Sequence, residues 1–219
     1  MGYKKSVLPF STSLTDSTGN LGTWKIYNSP SLVNSDYSYG KSAYFPDYNS
    51  WIESNFNVSQ LMRSNSFSIS CYFKITHTGS GAIFHLGGDI EFMDYRITNQ
   101  KSRFYCAKDG NGRSWVIAGD TYWDSGRGRG MGTYTIPLNQ WNRFELKWNQ
   151  YESVKIYIND ILDLNIAIPD HTLPNLNLPI KVGAGCSESG QGIYLNDFKI
   201  VIGDKLNIMY TNVKVNESD

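Results

Sequence analysis

The stretch from Gln140 to Asp163 constrains the fold more than any other part of this sequence, because its apolar residues recur at every second position. These positions are Phe144, Leu146 and Trp148, then Val154, Ile156 and Ile158. The stretch leads into the next alternating run, Leu162, Leu164, Ile166 and Ile168. Successive side chains leave a β-strand on opposite faces, so this pattern predicts half-buried strands. The polar residues 149–153 and the pair Asn159-Asp160 predict the two tight turns between them.

Short runs of the same kind recur along the rest of the chain. We expect strands near 6–10, 41–46, 50–54, 66–76, 81–86, 89–97, 101–107, 114–119, 143–149, 153–159, 161–168, 179–183 and 193–202. The connections are rich in Gly, Ser, Asn, Asp and Pro, as turns require, and one short helical piece is expected at 57–64. Many short strands with such connections predict an all-β, two-sheet antiparallel sandwich or jelly roll.

Length and charge bound the classes of protein that the chain can belong to. A chain of 219 residues is long enough for one all-β domain, which we place at 1–210 with a polar tail at 211–219. Its 20 basic and 20 acidic residues cancel, which removes any global attraction to nucleic acid or to an anionic membrane. No 18-residue apolar run predicts a membrane span, and the first ten residues lack the apolar core of a signal peptide.

The order of these parts resembles the laminin-G-like members of the concanavalin A-like lectin/glucanase superfamily. Such domains carry W-x-x-[FVI]-x-[LV]-x-[WF], a turn, and V-x-[IL]-Y-[IV]-[ND]-[DG]. The matching residues are Trp141, Phe144, Leu146, Trp148, Val154, Ile156, Tyr157, Ile158, Asn159 and Asp160. Shorter matches follow the family's order at Leu14–Gly19, Gly40–Phe45, Phe67–Phe73 and Gly192–Ile200. The resemblance covers nearly the whole chain and implies a concanavalin A-like jelly roll, but it says little about a ligand.

The last strand predicts a local irregularity. Leu195 and Phe198 are both apolar but lie three positions apart, which breaks the period of two. A β-bulge at Asn196-Asp197 would return both residues to the core face. In the resembled family an acidic residue at this point is a structural feature, so we interpret Asp197 as supporting the fold.

The segment from Asp109 to Gly132 departs most from the family pattern and is our candidate binding loop. Between Gly119 and Thr133 it has no apolar periodicity and too much glycine for a strand, and long loops in compact domains are often functional. Its candidate ligand-binding residues are Trp115, Asp120, Tyr122, Trp123, Asp124, Arg127 and Arg129. Sugars need this pairing of flat rings with directed polar groups. The alternative is that the aromatic residues fold back and pin the loop to the sandwich.

Other kinds of site have weaker signals. Asp89, Glu91 and Asp94 have the spacing of the glucanase pattern E-x-D-x-x-E with the residue types reversed, and Asp94 has the opposite parity unless the strand bulges. Asp109 and Asn111 offer two oxygen ligands for calcium, well short of a full set. The histidines have no zinc-ligand spacing. Two arginines beside Asp120 and Asp124 do not make a nucleic-acid site.

These observations favour a non-catalytic recognition module that binds a glycan or a host-surface receptor, with no cofactor and no membrane insertion. The free-thiol pattern, the absent signal peptide and the similarity of the N-terminal part to bacteriophage tail and capsid-decorating modules favour an extracellular or virion-surface assembly with several copies. The first alternative is a structural subunit that uses the same loop to pack against a neighbour. The second is a glycoside hydrolase of the glucanase type.

Overall fold

The computed structural model describes residues 4–10, 13–16, 18–36, 40–47, 49–56, 66–79, 81–87, 91–106, 122–124, 127–149, 153–167, 179–183 and 192–203. The strands in chain order are β1 Lys4–Leu8, β2 Trp24–Tyr27, β3 Ser31–Asn34, β4 Lys41–Phe45, β5 Trp51–Ser54, β6 Ser66–Ile75, β7 Gly81–Gly87, β8 Glu91–Thr98, β9 Lys101–Cys106, β10 Tyr122–Asp124, β11 Arg127–Met131, β12 Asn142–Asn149, β13 Ser153–Ile158, β14 Ile161–Ala167, β15 Ile180–Val182 and β16 Ile193–Ile202.

The strands form two antiparallel sheets of eight. Sheet A has the order β14-β13-β12-β6-β16-β4-β3, with β1 also paired to β16. Sheet B has the order β10-β11-β9-β8-β7-β15-β5-β2. Neighbours in space are often distant in sequence, as where β16 lies between β6 and β4. The predicted all-β, two-sheet antiparallel sandwich is confirmed.

One continuous core lies between the sheets and draws on residues from Leu8 to Ile202. The apolar residues that alternate along β6, β12 and β13 are all buried: Phe67, Ile69, Cys71, Phe73, Phe144, Leu146, Trp148, Val154, Ile156 and Ile158. Phe144 contacts the facing sheet directly, with its ring centroid 4.3 Å from that of Tyr95. Cys71 is a buried free thiol, and burial followed by the Asp197 charge raises its pKa well above the ordinary value.

The predicted bulge is present in β16. The register of β16 against β6 shifts between Asn196 and Lys199, and Asp197 has a left-handed φ of 50°. The Asp197 N–H donates to the carbonyl of Pro9 at 3.3 Å, and its carboxylate pairs with Lys199. Leu195 and Phe198 are consequently both buried, so Asp197 supports the fold as expected.

Asp16, in the Leu14–Gly19 motif, also has a structural role. Its carboxylate accepts hydrogen bonds from the Ser6 hydroxyl, from the Val7 N–H at 3.4 Å, and from the N–H and hydroxyl of Thr18, each at 2.8 Å. Partial burial raises the pKa of Asp16, but these hydrogen bonds outweigh it and hold the pKa below its ordinary value. The motif therefore fastens the chain after β1 back onto that strand.

Four strands were not expected from the sequence. β2 and β3 are four residues each and form the outer edges of sheets B and A, where one-sided exposure weakens the apolar pattern. The expectation that the segment 119–133 has too much glycine for a strand is wrong, because β10 and β11 lie within it. Sheet pairing uses backbone groups, which glycine supplies as other residues do. The expected helical piece at 57–64, the strand at 114–119 and the tail at 211–219 lie outside the described residues.

Candidate functional site

The predicted binding loop contributes a hairpin to the end of sheet B. β10 pairs with β11, which in turn pairs with β9. Tyr122 lies opposite Arg129 and Asp124 lies opposite Arg127. Trp115 and Asp120, and the calcium candidates Asp109 and Asn111, lie outside the described residues.

The register of sheet B places residues from distant parts of the chain in one transverse row. We call this the outer row: Lys25, Glu53, Lys181, His85, Asp94, Tyr105, Arg129 and Tyr122, each the direct partner of the next. Neighbouring positions such as Ile52 and Val182 are fully buried in the core, so Glu53, Lys181 and His85 lie on the opposite face. We call that face the outer face of sheet B.

Trp123 has a different position from the other hairpin candidates. It lies opposite Gly128, in line with Cys106, Met93, Leu86 and Ile180. Leu86 and Ile180 are fully buried core residues. Trp123 therefore shares its register line with core positions, whereas Tyr122 and Arg129 are in register with the outer row.

A preformed aromatic cluster occupies the β2 edge of this face, and we call it the Tyr27 platform. The rings of Tyr27 and Trp51 stack with their centroids 4.9 Å apart and an interplanar angle of 15°. The Lys181 ammonium lies 4.8 Å from the centroid of the Trp51 ring. Glu53 accepts a hydrogen bond from Trp51 Nε1 at 3.2 Å and lies 4.0 Å from Lys181 Nζ. Because β2 is the last strand of the sheet, Tyr27 is the outermost member of the stack.

The middle of the outer face is more enclosed. His85 and Arg96 occupy outward positions, yet each is only 3% exposed. Arg96 lies opposite Arg103 across β8 and β9. Two guanidinium groups at facing positions make this region polar, and the burial of His85 and Arg96 leaves little of either side chain open to solvent. The more accessible part of the described face is consequently the Tyr27 platform.

The base of the hairpin is anchored across the sandwich. Gly132 directly follows β11, and its N–H donates to the carbonyl of Ser102 at 2.9 Å. Asp163, at a register shift in β14 of the other sheet, accepts a hydrogen bond from the Tyr134 N–H at 2.9 Å. A Cβ added at Gly132 would overlap the Asp163 carboxyl group. Glycine is required here because that carboxylate occupies the place of a side chain.

Two of the acids with glucanase-like spacing, Glu91 and Asp94, lie on β8. The register of β7 and β8 shifts between Leu86 and Gly87, so that Glu91 lies opposite Gly87 and Asp94 opposite His85. The sequence assigns Asp94 the opposite parity unless the strand bulges, and this register shift is the irregularity that the exception allows for. Asp89 lies outside the described residues.

No three His, Cys, Asp or Glu side chains converge as metal ligands within the part of the chain that the structure describes. In the same residues, no helix has the length and apolar character needed to cross a bilayer.

Comparisons with known proteins establish the fold. No protein-family profile and no curated protein matches the chain. Among solved structures, the receptor-binding domain of botulinum neurotoxin C/D mosaic serotype is similar over 94% of this chain, with 17% identity and a TM-score of 0.64. A structure described as showing that cell entry of botulinum neurotoxin type C depends on two ganglioside molecules is similar over 97%, with 17% identity and a TM-score of 0.66.

Domain 4 of AbnA, an extracellular arabinanase of Geobacillus stearothermophilus solved with arabinotriose, is similar over 93% of this chain and 94% of its own. The identity is 18% and the TM-score is 0.63. The chain spans about half the length of the toxin chains, at 50% and 51%. It therefore shares the β-sandwich fold of these domains. The laminin-G-like classification stays a prediction from the motifs.

Reasoning from the sequence missed Tyr27, Trp51, Glu53 and Lys181. The signal for two of them was present, since Trp51 and Glu53 flank the apolar Ile52 in an alternating run and must therefore face outward. No sequence pattern predicts that Trp51 and Glu53 lie beside Tyr27 and Lys181, because those two residues lie on other strands, distant in sequence.

Proposed function

We propose that this chain is a non-catalytic glycan-binding module and that the outer face of sheet B holds the glycan. The observation that carries the proposal is the Tyr27 platform: two stacked rings, one on an edge strand, flanked by a carboxylate and an ammonium group. Sugar C–H faces pack on aromatic rings, while hydroxyl groups exchange hydrogen bonds with charged side chains. The structurally similar domains support this proposal, since one was solved with arabinotriose and others are toxin receptor-binding domains.

We place the second part of the proposed site at the hairpin of β10 and β11. Tyr122 is paired with Arg129 and Asp124 with Arg127, at the far end of the sheet from Tyr27. Trp115 and Asp120 belong to the same loop in sequence. A glycan that extends along the outer row would begin at the rigid platform and end at the hairpin.

The proposed setting is an extracellular or virion surface with several copies of the module. A site built on one partly exposed ring gives weak affinity for a single sugar, and several linked copies raise the overall affinity without any new contact. In the alternative setting, the same face packs against a neighbouring subunit of a particle.

The test is a glycan array that includes arabinotriose and sialylated ganglioside oligosaccharides, run with calcium and with a chelator. Tyr27→Ala should weaken binding by roughly 1–3 kcal/mol, as for aromatic anchors elsewhere. The matched control is Tyr157→Ala, which removes a ring from the outer face of sheet A, where Lys147 Nζ lies 5.0 Å from its centroid. Equal affinities for the two variants would refute the assignment of the site to sheet B.

A second assay addresses catalysis. We expect no reducing sugar to be released from arabinan or β-glucan. Release that is lost in Glu91→Gln would overturn the non-catalytic proposal and favour the glycoside hydrolase alternative.

A further inference from the structure

A second aromatic cluster lies on the outer face of sheet A, and we call it the sheet A ladder. Tyr44, Tyr194 and Lys74 are successive register partners on β4, β16 and β6. The Tyr44 and Tyr194 ring centroids are 4.7 Å apart at an interplanar angle of 35°. Lys74 Nζ lies 5.2 Å from the Tyr194 centroid and 5.5 Å from the centroid of the Trp141 ring. Three partly exposed aromatic residues thus line up on a face that contributes nothing to the core.

The charge of the ladder is cancelled within it. Asp36, in the connection between β3 and β4, accepts hydrogen bonds on Oδ1 from Lys74 Nζ at 2.6 Å and from Trp141 Nε1 at 2.9 Å. The bond from Lys74, followed by that from Trp141, lowers the pKa of Asp36. The Lys74 side chain is 14% exposed and that of Asp36 is 65% exposed. The surface is therefore aromatic and neutral, with an exposed carboxylate at its rim, which suits a neutral polyhydroxyl ligand better than a charged one.

The outer side of the Tyr44 ring faces a small residue. Its register partner on the edge strand β3 is Ser31, which is exposed. At the other end of the same ring, a Cβ at Gly192 would lie 3.1 Å from the Tyr44 hydroxyl oxygen and 3.7 Å from His77 Nε2, so these two polar groups converge beside a glycine. We call this place the Tyr44 shelf: the ring, Ser31, and the polar end at His77 and Gly192.

The ladder is also held in place before any ligand arrives. Stacking, two cation–π contacts and two hydrogen bonds to Asp36 fix its side chains. Little conformational entropy would then be lost on binding. A role in stability alone would need the Tyr44–Tyr194 ring contact but not the small, exposed Ser31 as the register partner of Tyr44.

We propose that the Tyr44 shelf is a second glycan site, for a neutral oligosaccharide, and that the chain binds two glycans on opposite outer faces. This inference rests on the proposed glycan-binding function and adds to it. Two sites on opposite faces of a rigid sandwich cannot both engage adjacent sugars of one strand. A single copy would therefore bridge two strands of a polysaccharide.

The experiment is calorimetric titration with arabinotriose, the sugar bound to the similar AbnA domain. Wild type should bind two molecules per chain. Ser31→Trp, which fills the shelf and leaves the ladder intact, and Tyr27→Ala should each bind one, and the double variant none. Tyr157→Ala is the control and should still bind two. Wild type should also make an arabinan solution turbid, and both single variants should not.

The outcomes separate this inference from the proposed function. One molecule per wild-type chain, lost in Tyr27→Ala and kept in Ser31→Trp, would overturn the second site and leave the first. One molecule lost only in Ser31→Trp would overturn the two-site inference and the assignment to sheet B together. No arabinotriose binding would overturn the inference, while a positive array with another glycan would keep the proposed function.

Discussion

The contact between Gly132 and Asp163 makes a prediction that links stability to the base of the candidate binding hairpin. In Gly132→Ala the new methyl group would overlap the Asp163 carboxyl group, so that group must move away. It would then lose the hydrogen bond from the Tyr134 N–H, now 2.9 Å long. A hydrogen bond to a charged group contributes about 1.5–3 kcal/mol. Replacing glycine also lowers the conformational entropy of the unfolded chain, which offsets about 0.4–1 kcal/mol of that loss. We expect a net loss of roughly 0.5–2.5 kcal/mol.

A double-mutant cycle checks this mechanism by urea denaturation. Asp163→Ala alone should lower the unfolding free energy by roughly 1.5–3 kcal/mol, because it removes the same hydrogen bond. Once Asp163 is alanine, adding Gly132→Ala should cost nothing and even stabilise by a few tenths of a kcal/mol, since the overlap is gone. If the two changes instead add to within about 0.5 kcal/mol, they act independently and the reasoning fails.

Three further predictions concern the core, the pH dependence and the hairpin. Trp148→Ala, which removes a side chain that is 1% exposed and stacked on Phe67, should lower the unfolding free energy by roughly 3–5 kcal/mol in urea denaturation. The pKa of Asp16 is lower in the folded state than its ordinary value of 3.8. Its stabilisation is therefore present above that value and lost as the pH falls through the folded pKa, and Asp16→Asn should remove this part of the acid dependence. Trp123→Ala should weaken ligand binding by roughly 1–3 kcal/mol with little change in the melting temperature, as expected for a ligand anchor. A role in packing the loop against the sandwich predicts the reverse, and a lower melting temperature with unchanged binding would therefore refute the anchor role.

Much of the fold follows from local patterns. The alternation around Phe144 and Val154 predicts both the strands and the buried face, because side chains leave a strand alternately and only one face meets the core. The three-residue spacing of Leu195 and Phe198 predicts the bulge for the same reason. The strands β2, β3, β10 and β11 were not predicted, since edge strands bury few side chains and glycine has none to bury.

The candidate site likewise has one part that local sequence patterns predict and one part that they do not. That Trp51 and Glu53 face outward can be read from the sequence, since they flank a buried isoleucine. Their contacts with Tyr27 and Lys181 depend on which strands lie side by side and in what register. The same holds for the contacts of Tyr44 with Tyr194 and of Tyr194 with Lys74. Those pairings join residues up to about 150 positions apart, and no local window of sequence encodes them. The sequence by itself determined which residues face the core, because burial follows the period of each strand. Only the tertiary structure decided which outward-facing residues share a row, because rows are set by strand order and register across the whole sheet.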